Sequence, residues 1–476
     1  MTRLVIAQNR FGLGATANYD RSIDPAAWLR RQIDSFDPAP PETANLPDRA
    51  ILANELADYF ASRGRNRQRR GADDGENANA STNDAARMAR RSFGRAGRQH
   101  YLNMVDTRAR IALSSPAPFA ERLVHFWANH FAVSADGFAL VRLAGLLEFE
   151  AIRPHVMGRF ADMLVAVEQH PTMLLYLNQA RSIGPNSTLG ARGNRRQDRQ
   201  RGLNENLARE VMELHTLGVN GGYSQADVTE LARALTGWTV AGLTRGPARR
   251  IFPASAQPGD FHFAPQLHEP GARTVLGERY AAGGIGQAQS ILQDLARQPA
   301  TARHLATKLA RHFAGDEPPV SLVDRLADAY RDTDGDLPTL YRVLIDAPEC
   351  WIEAPVKFKT PWEWVISSFR ALGARRFDRR MNAILRQLGQ PVWAPGSPAG
   401  YDDIAASWSG SSALTSRVEF AQRIADISRD NVDARQLAPR LFGDLLSERT
   451  ARTIASAESA GQGLALLLVS PEFLRR

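Results

Sequence analysis

Apolar residues return every three to four positions along most of the chain, the spacing that places them on one face of an α-helix. Trp28, Leu29 and Ile33 do so behind Asp24-Pro25, an Asp cap followed by Pro at a first helical position. Phe119, Leu123, Phe126, Trp127 and Phe131 repeat the pattern over about 117–131. The same reading predicts helices around 138–152, 155–168, 202–217, 225–236, 285–297, 300–313, 321–331, 337–347, 359–372, 378–388 and 412–428, with short ones after that. The expected fold class is mainly α: a large multi-helix domain with a small β-hairpin insertion and one disordered Arg-rich segment.

Two regions break the helical period. Arg250-Ile251-Phe252 and Phe261-His262-Phe263 read as a short hairpin, with Arg273-Thr274-Val275-Leu276 as a nearby third strand. Residues 388–402 form a Pro/Gly loop whose Trp393 and Tyr401 are expected to tuck against the body. Residues 61–90 carry few large apolar side chains, too few to offset the entropy of ordering, and read as a disordered insertion. The chain then divides into N-terminal helices (1–60), the Arg-rich insertion (61–90), a helical core bearing the polar motifs (91–240), a hairpin region (241–280) and a C-terminal helical part (281–476) continuous with that core.

Composition narrows the classes. The chain has 476 residues, 43% of them hydrophobic and 23% charged, as in globular proteins. One cysteine, Cys350, excludes an intrachain disulfide and Cys-rich metal sites. The formal charge is +8, but residues 61–100 contribute +6 and residues 191–201 +4, which leaves the rest near −2. Basicity is thus a property of two polar segments. Phe93 is the sole Phe, Tyr or Trp in 61–100 to interleave with the charge, so no stacking platform for nucleic acid accompanies it. No apolar run reaches the ~20 residues of a membrane helix, and no leader is legible, so the expectation is a soluble, by default cytoplasmic, protein.

Candidate chemistry clusters in three stretches. Along Gly202–Gly218, helical spacing puts Asn206, Glu210 and Glu213 on one face, and Arg209 within reach of Glu205 and Glu213. Two carboxylates and an amide could hold a divalent metal, with His215 nearby, or share general acid and base roles; they could equally form a structural ion-pair ladder. In Glu121–Phe131, His125 and Asn129 share a face, flanked by Phe126 and Trp127; here the alternative is a core histidine bonded to main chain. His170 stands before Pro171, where helix capping alone explains it. Asp332-Thr333-Asp334-Gly335-Asp336 mimics a calcium loop, but its twelfth position is Val343, so Asp336 reads as a helix cap.

Several of these stretches coincide with one family. Asn204–Glu210, Glu213–Val219, Phe11-Gly12-Leu13-Gly14, His125–Phe131, His170-Pro171, Leu235-Thr236-Gly237-Trp238 and Lys357-Phe358-Lys359-Thr360-Pro361 resemble the motifs of the bacterial family catalogued as domain of unknown function 1800. The match is collinear from about residue 10 onward. The resemblance implies a large helical domain without an established activity, often encoded beside a phosphatase- or sulfatase-like protein, which would be the expected partner. Many relatives are exported, and Tyr401 stands where the family usually has a Gly-Trp pair.

Residues and resemblance together lead to two expectations. The first is a hydrolase-like enzyme with His125, Asn129, Arg209, Glu210, Glu213 and His170 at its site, and a divalent metal on Glu210, Glu213, Asn206 and His215. The second is a non-catalytic helical scaffold or accessory subunit of the phosphatase/sulfatase-like partner. Nucleic acid and membrane are not expected partners.

Overall fold

The computed structural model describes residues 2–17, 22–70, 76–194, 202–243, 252–253, 255–374, 380–428 and 432–476. Side chains at 64–70, 76–83, 192–194 and 380–381 also lie outside the description. Helices dominate, as the periodicity predicts, and buried apolar side chains from Val5 to Leu474 form one contiguous cluster. Local caps set several boundaries: Asp24 accepts from the Ala27 amide at 2.6 Å and Asp336 from that of Thr339 at 3.0 Å.

Three stretches wind more loosely than an α-helix, as π-helix: Ala7–Phe11, Leu147–Ile152 and Val211–His215. The third converts the single helix expected over 202–217 into Asn206–Glu210 followed by a π-turn. Such bulges shift the facing of every later residue, so helical-wheel arithmetic run from Asn206 to His215 loses phase before reaching the histidine.

The small sheets differ from the expected hairpin. Phe261–Phe263 is a strand, but it pairs antiparallel with Trp238–Val240. Arg273–Val275 pairs with Glu278–Tyr280 around Leu276-Gly277, both at positive φ, as a two-residue turn demands. Of the partner first expected, Arg250 and Ile251 lie outside the described residues. The stronger strand former was Trp238-Thr239-Val240, hidden behind a helix end and released by Gly237 at φ +89°.

Helix also reaches further into the Arg-rich stretch than composition implied: Arg49–Arg70 and Glu76–Ser114 are helical, and 71–75 lie outside the described residues. Flanking aromatics anchor them, with Tyr59 stacked on Phe93 at 4.0 Å and Phe138 behind. The 388–402 loop packs as expected. Trp393 is buried, its indole N–H donates to Glu148 at 2.8 Å, and its carbonyl accepts from the Ala135 amide.

Candidate functional site

Four elements and one loop enclose a cavity of about 320 Å³ that opens to solvent. The helix Pro118–His130 supplies His125, Asn129 and His130, and Pro299–Ala314 supplies Lys308, Arg311 and His312. Thr360, Trp362 and Glu363 come from the start of Pro361–Ala371, Arg108 from the long helix ending at Ser114, and the far wall from Gln390 to Ile404.

Glu363 is the central anion. In a capping box, one of its oxygens accepts from the Thr360 amide at 2.9 Å. The other pairs with Arg122 and, at 2.8 Å, with Arg476. Burial opposes its ionisation, but the two guanidiniums prevail and hold it well below the usual carboxylate range. Arg122 also donates to the Gly12 carbonyl at 2.7 Å, which ties the Phe11–Gly14 turn to the cavity floor. Gly14 sits at φ +115°, and a Cβ there would stand 2.5 Å from that of Ser367.

His312 and Asp403 form a second pair, Nδ1 to Oδ2, at 2.7 Å. Asp403 also meets Lys357 at 3.2 Å, and these partners hold its carboxyl low against the opposing effect of burial. Burial and the neighbouring Arg476 depress His312 to about 4, despite Asp403, so its imidazole is neutral at pH 7.

His125 accepts from the Trp362 indole through Nδ1 at 3.3 Å, which leaves Nε2 to carry the ring proton. Burial and Arg108 hold it neutral as well. His130 places Nε2 3.1 Å from the His215 carbonyl, so that nitrogen is the donor and Nδ1 the free lone pair. Lys308 donates to that lone pair at 2.9 Å. Among the described residues no carboxylate forms an ion pair with Lys308, and burial draws its ammonium down to about 8.

The expected site residues separate. His125 and Asn129 line the cavity; Asn206, Arg209, Glu210, Glu213, His170 and His215 do not. Asn129 is engaged with main chain, exchanging hydrogen bonds with Tyr401 N and O at 2.7 and 2.8 Å. Arg209 reaches Glu205 at 3.3 Å and Gln225 at 3.0 Å on the surface. Glu210 is half-buried, and burial raises its carboxyl. His170 caps the next helix, accepting from the Thr172 amide at 3.2 Å, and meets Glu150 at 3.1 Å. His215 faces inward, its Nδ1 2.7 Å from Glu168, with both side chains wholly buried. The expected metal set is thereby divided: Asn206 is exposed, Glu210 and Glu213 are half-buried, and His215 lies in the core. Among the described residues no three His, Cys, Asp or Glu side chains gather where they could hold a metal ion.

Sequence reasoning passed over Lys308, Arg311, His312, Glu363 and Asp403. A signal was available for Lys308 and His312. His304, Lys308 and His312 recur at intervals of four on a predicted helix, a stripe of titratable side chains beside its apolar face. Asp403 has none, because its partner lies 91 residues away.

The family model described as "Protein of unknown function (DUF1800)" matches residues 6–475. No curated protein matches the chain, and no solved structure does. Among the described residues no helix is long and apolar enough to cross a membrane.

Proposed function

We propose, for a chain that belongs to the DUF1800 family over nearly its whole length, that the cavity is the reaction site of a hydrolase-like enzyme working by acid–base catalysis on a small molecule. The observation that supports this reading best is Lys308: a half-buried amine on the cavity wall, bonded to a neutral imidazole and paired with no carboxylate among the described residues. A group near 8 exchanges protons readily at physiological pH, which is what a general base or acid requires. Lys357 is matched by Asp316 at 2.8 Å, and Lys359, which among the described residues also pairs with no carboxylate, is sealed against Ser367 and Phe473 away from the cavity. Lys308 alone of the three lysines lines it.

The other groups take complementary roles. His125, neutral and protonated on Nε2, is a donor for negative charge developing on a substrate oxygen. Asp403 orients His312, and Arg122 with Glu363 fixes the floor. Lys308 would take a proton from an attacking water and return it to the leaving group. The volume lies at the small end of ligand pockets, ~300–1,000 Å³.

The test is a screen of chromogenic carboxylic and phosphoric esters with the purified chain, followed by variants. Lys308→Met should lose about 10²–10⁴-fold in kcat with unchanged circular dichroism, whereas Arg209→Ala and Glu213→Ala should stay within a few-fold of wild type. Unaltered turnover in Lys308→Met would refute the assignment. Absence of turnover on every ester class would favour the accessory-subunit reading, with the phosphatase/sulfatase-like neighbour as its partner.

A further inference from the structure

The charges lining the cavity do not cancel. Arg108 pairs with Glu148 at 2.9 Å and lies 4.4 Å from the centre of the Trp362 ring. Arg122 and Arg476 share Glu363; Asp403 is shared by His312 and Lys357. Asp402, exposed at the rim, accepts from the Ser407 hydroxyl at 2.8 Å. Two groups remain. Arg311 donates through Nε to the Asp316 carbonyl at 3.3 Å, and among the described residues neither of its terminal nitrogens has a hydrogen-bond or ion-pair partner. Lys308, three positions earlier on the same helix, has only His130.

Like charges at i and i+3 repel. The negative end of the helix dipole favours cations in the last turns of Pro299–Ala314, yet it does not require both to line one cavity. A planar guanidinium with both terminal nitrogens free is a two-pronged donor matched to an oxyanion. The nearby indoles of Trp362 and Trp393 offer apolar surface for the rest of a ligand.

We infer that Arg311, with Lys308 beside it, binds an oxyanion, carboxylate or phosphoryl, through its two free terminal nitrogens, so that the ligand of this cavity is a small acid. This deepens the reading of the cavity as a reaction site and rests on it, but it concerns binding, which is measured without turnover.

Tryptophan emission of the full chain is titrated with sodium succinate, with inorganic phosphate and with neutral succinamide, at constant ionic strength. The expected result is saturable binding of at least one anion, more tightly than of succinamide, with succinate and phosphate as the arms that tell carboxylate from phosphoryl. Arg311→Gln should weaken that anion on the order of tenfold, as loss of a charge-assisted hydrogen bond does, and Arg311→Lys should recover part of it. Circular dichroism checks that each variant is folded. The inference is overturned if neither anion binds more tightly than succinamide, or if folded Arg311→Gln binds like wild type. Anion binding without hydrolysis of any ester would instead count against the catalytic reading alone.

Discussion

The cavity floor and the Asn206–His215 stretch contain the same residue types, arginine, glutamate and histidine, and use them in opposite ways. On the floor, Glu363 joins Arg122 and Arg476, residues far apart in the chain, in a buried network. Along the stripe, Glu205, Arg209, Gln225 and Thr229 bond one another at the surface, where water competes for every donor. Local density of charge in a sequence marks helix faces that meet solvent. Sites assembled from single charges on several apolar helices leave a fainter trace and carry the larger energies.

Glu363→Ala is the sharpest way to break that contrast. It leaves two buried guanidiniums facing each other without a carboxylate and removes half of a capping box. Destabilisation of about 3–5 kcal/mol is expected, as for other buried pairs deprived of one member, read from urea midpoints. Glu363→Gln should recover the cap but not the charge, and fall between. A cost under about 1 kcal/mol for Glu363→Ala would mean that the floor behaves like the stripe.

The next effect is titratable. His304 and His312 are held near 4, and His125 and His130 well below their ordinary value, all chiefly by burial. As pH falls below about 6.5 the unfolded chain takes up these protons and the folded chain does not. Their contribution to stability is therefore complete above about 6.5 and is lost as pH falls toward 4. Each such proton adds about 1.4 kcal/mol per pH unit to the slope of unfolding free energy. His304→Gln should lower that slope by close to one proton, measured from urea unfolding at stepped pH. A slope unchanged by His304→Gln would show that this imidazole titrates alike in both states.

The wall opposite the helices rests on close backbone approach. Gly145 faces the Trp393 ring, and a Cβ there would lie 2.7 Å from it and 2.9 Å from the Met104 sulfur. Gly145→Ala should cost about 1–3 kcal/mol, the range for overpacking, and blue- or red-shift Trp393 emission as the loop yields. An unperturbed spectrum would mean that the loop is not held by this contact.

What was legible in the chain follows the range of the forces involved. Helices, the Asp24 and Asp336 caps and the tucked Trp393 loop were readable because period, capping and aromatic burial act over a few residues. His125 and Asn129 were found because they share one apolar helix with Trp127. The strand partner of Phe261–Phe263 was missed because a three-residue strand behind a helix end has almost no period. The grouping of Asn206, Glu210 and Glu213 with His215 rested on closeness in sequence: helical spacing already turns His215 away from that face, and the structure buries it against Glu168. Lys308, Glu363 and Asp403 depended on tertiary approach, although the four-residue recurrence of His304, Lys308 and His312 could have drawn notice.

The smallest expected effect closes the comparison from the other side. Arg209 is 40% exposed in its side chain, and its partners Glu205 and Gln225 are bonded to each other and to Thr229 without it. Arg209→Ala should therefore cost no more than about 1 kcal/mol, as exposed pairs do, and the loss should shrink further in 0.5 M salt because the pair is screened. The measurement is a double-mutant cycle with Glu205→Ala at low and high salt. Should Arg209→Ala instead unfold the chain, the stripe would be a structural element rather than a solvated face, and density of charge along a helix would again be a guide to where the structure is held.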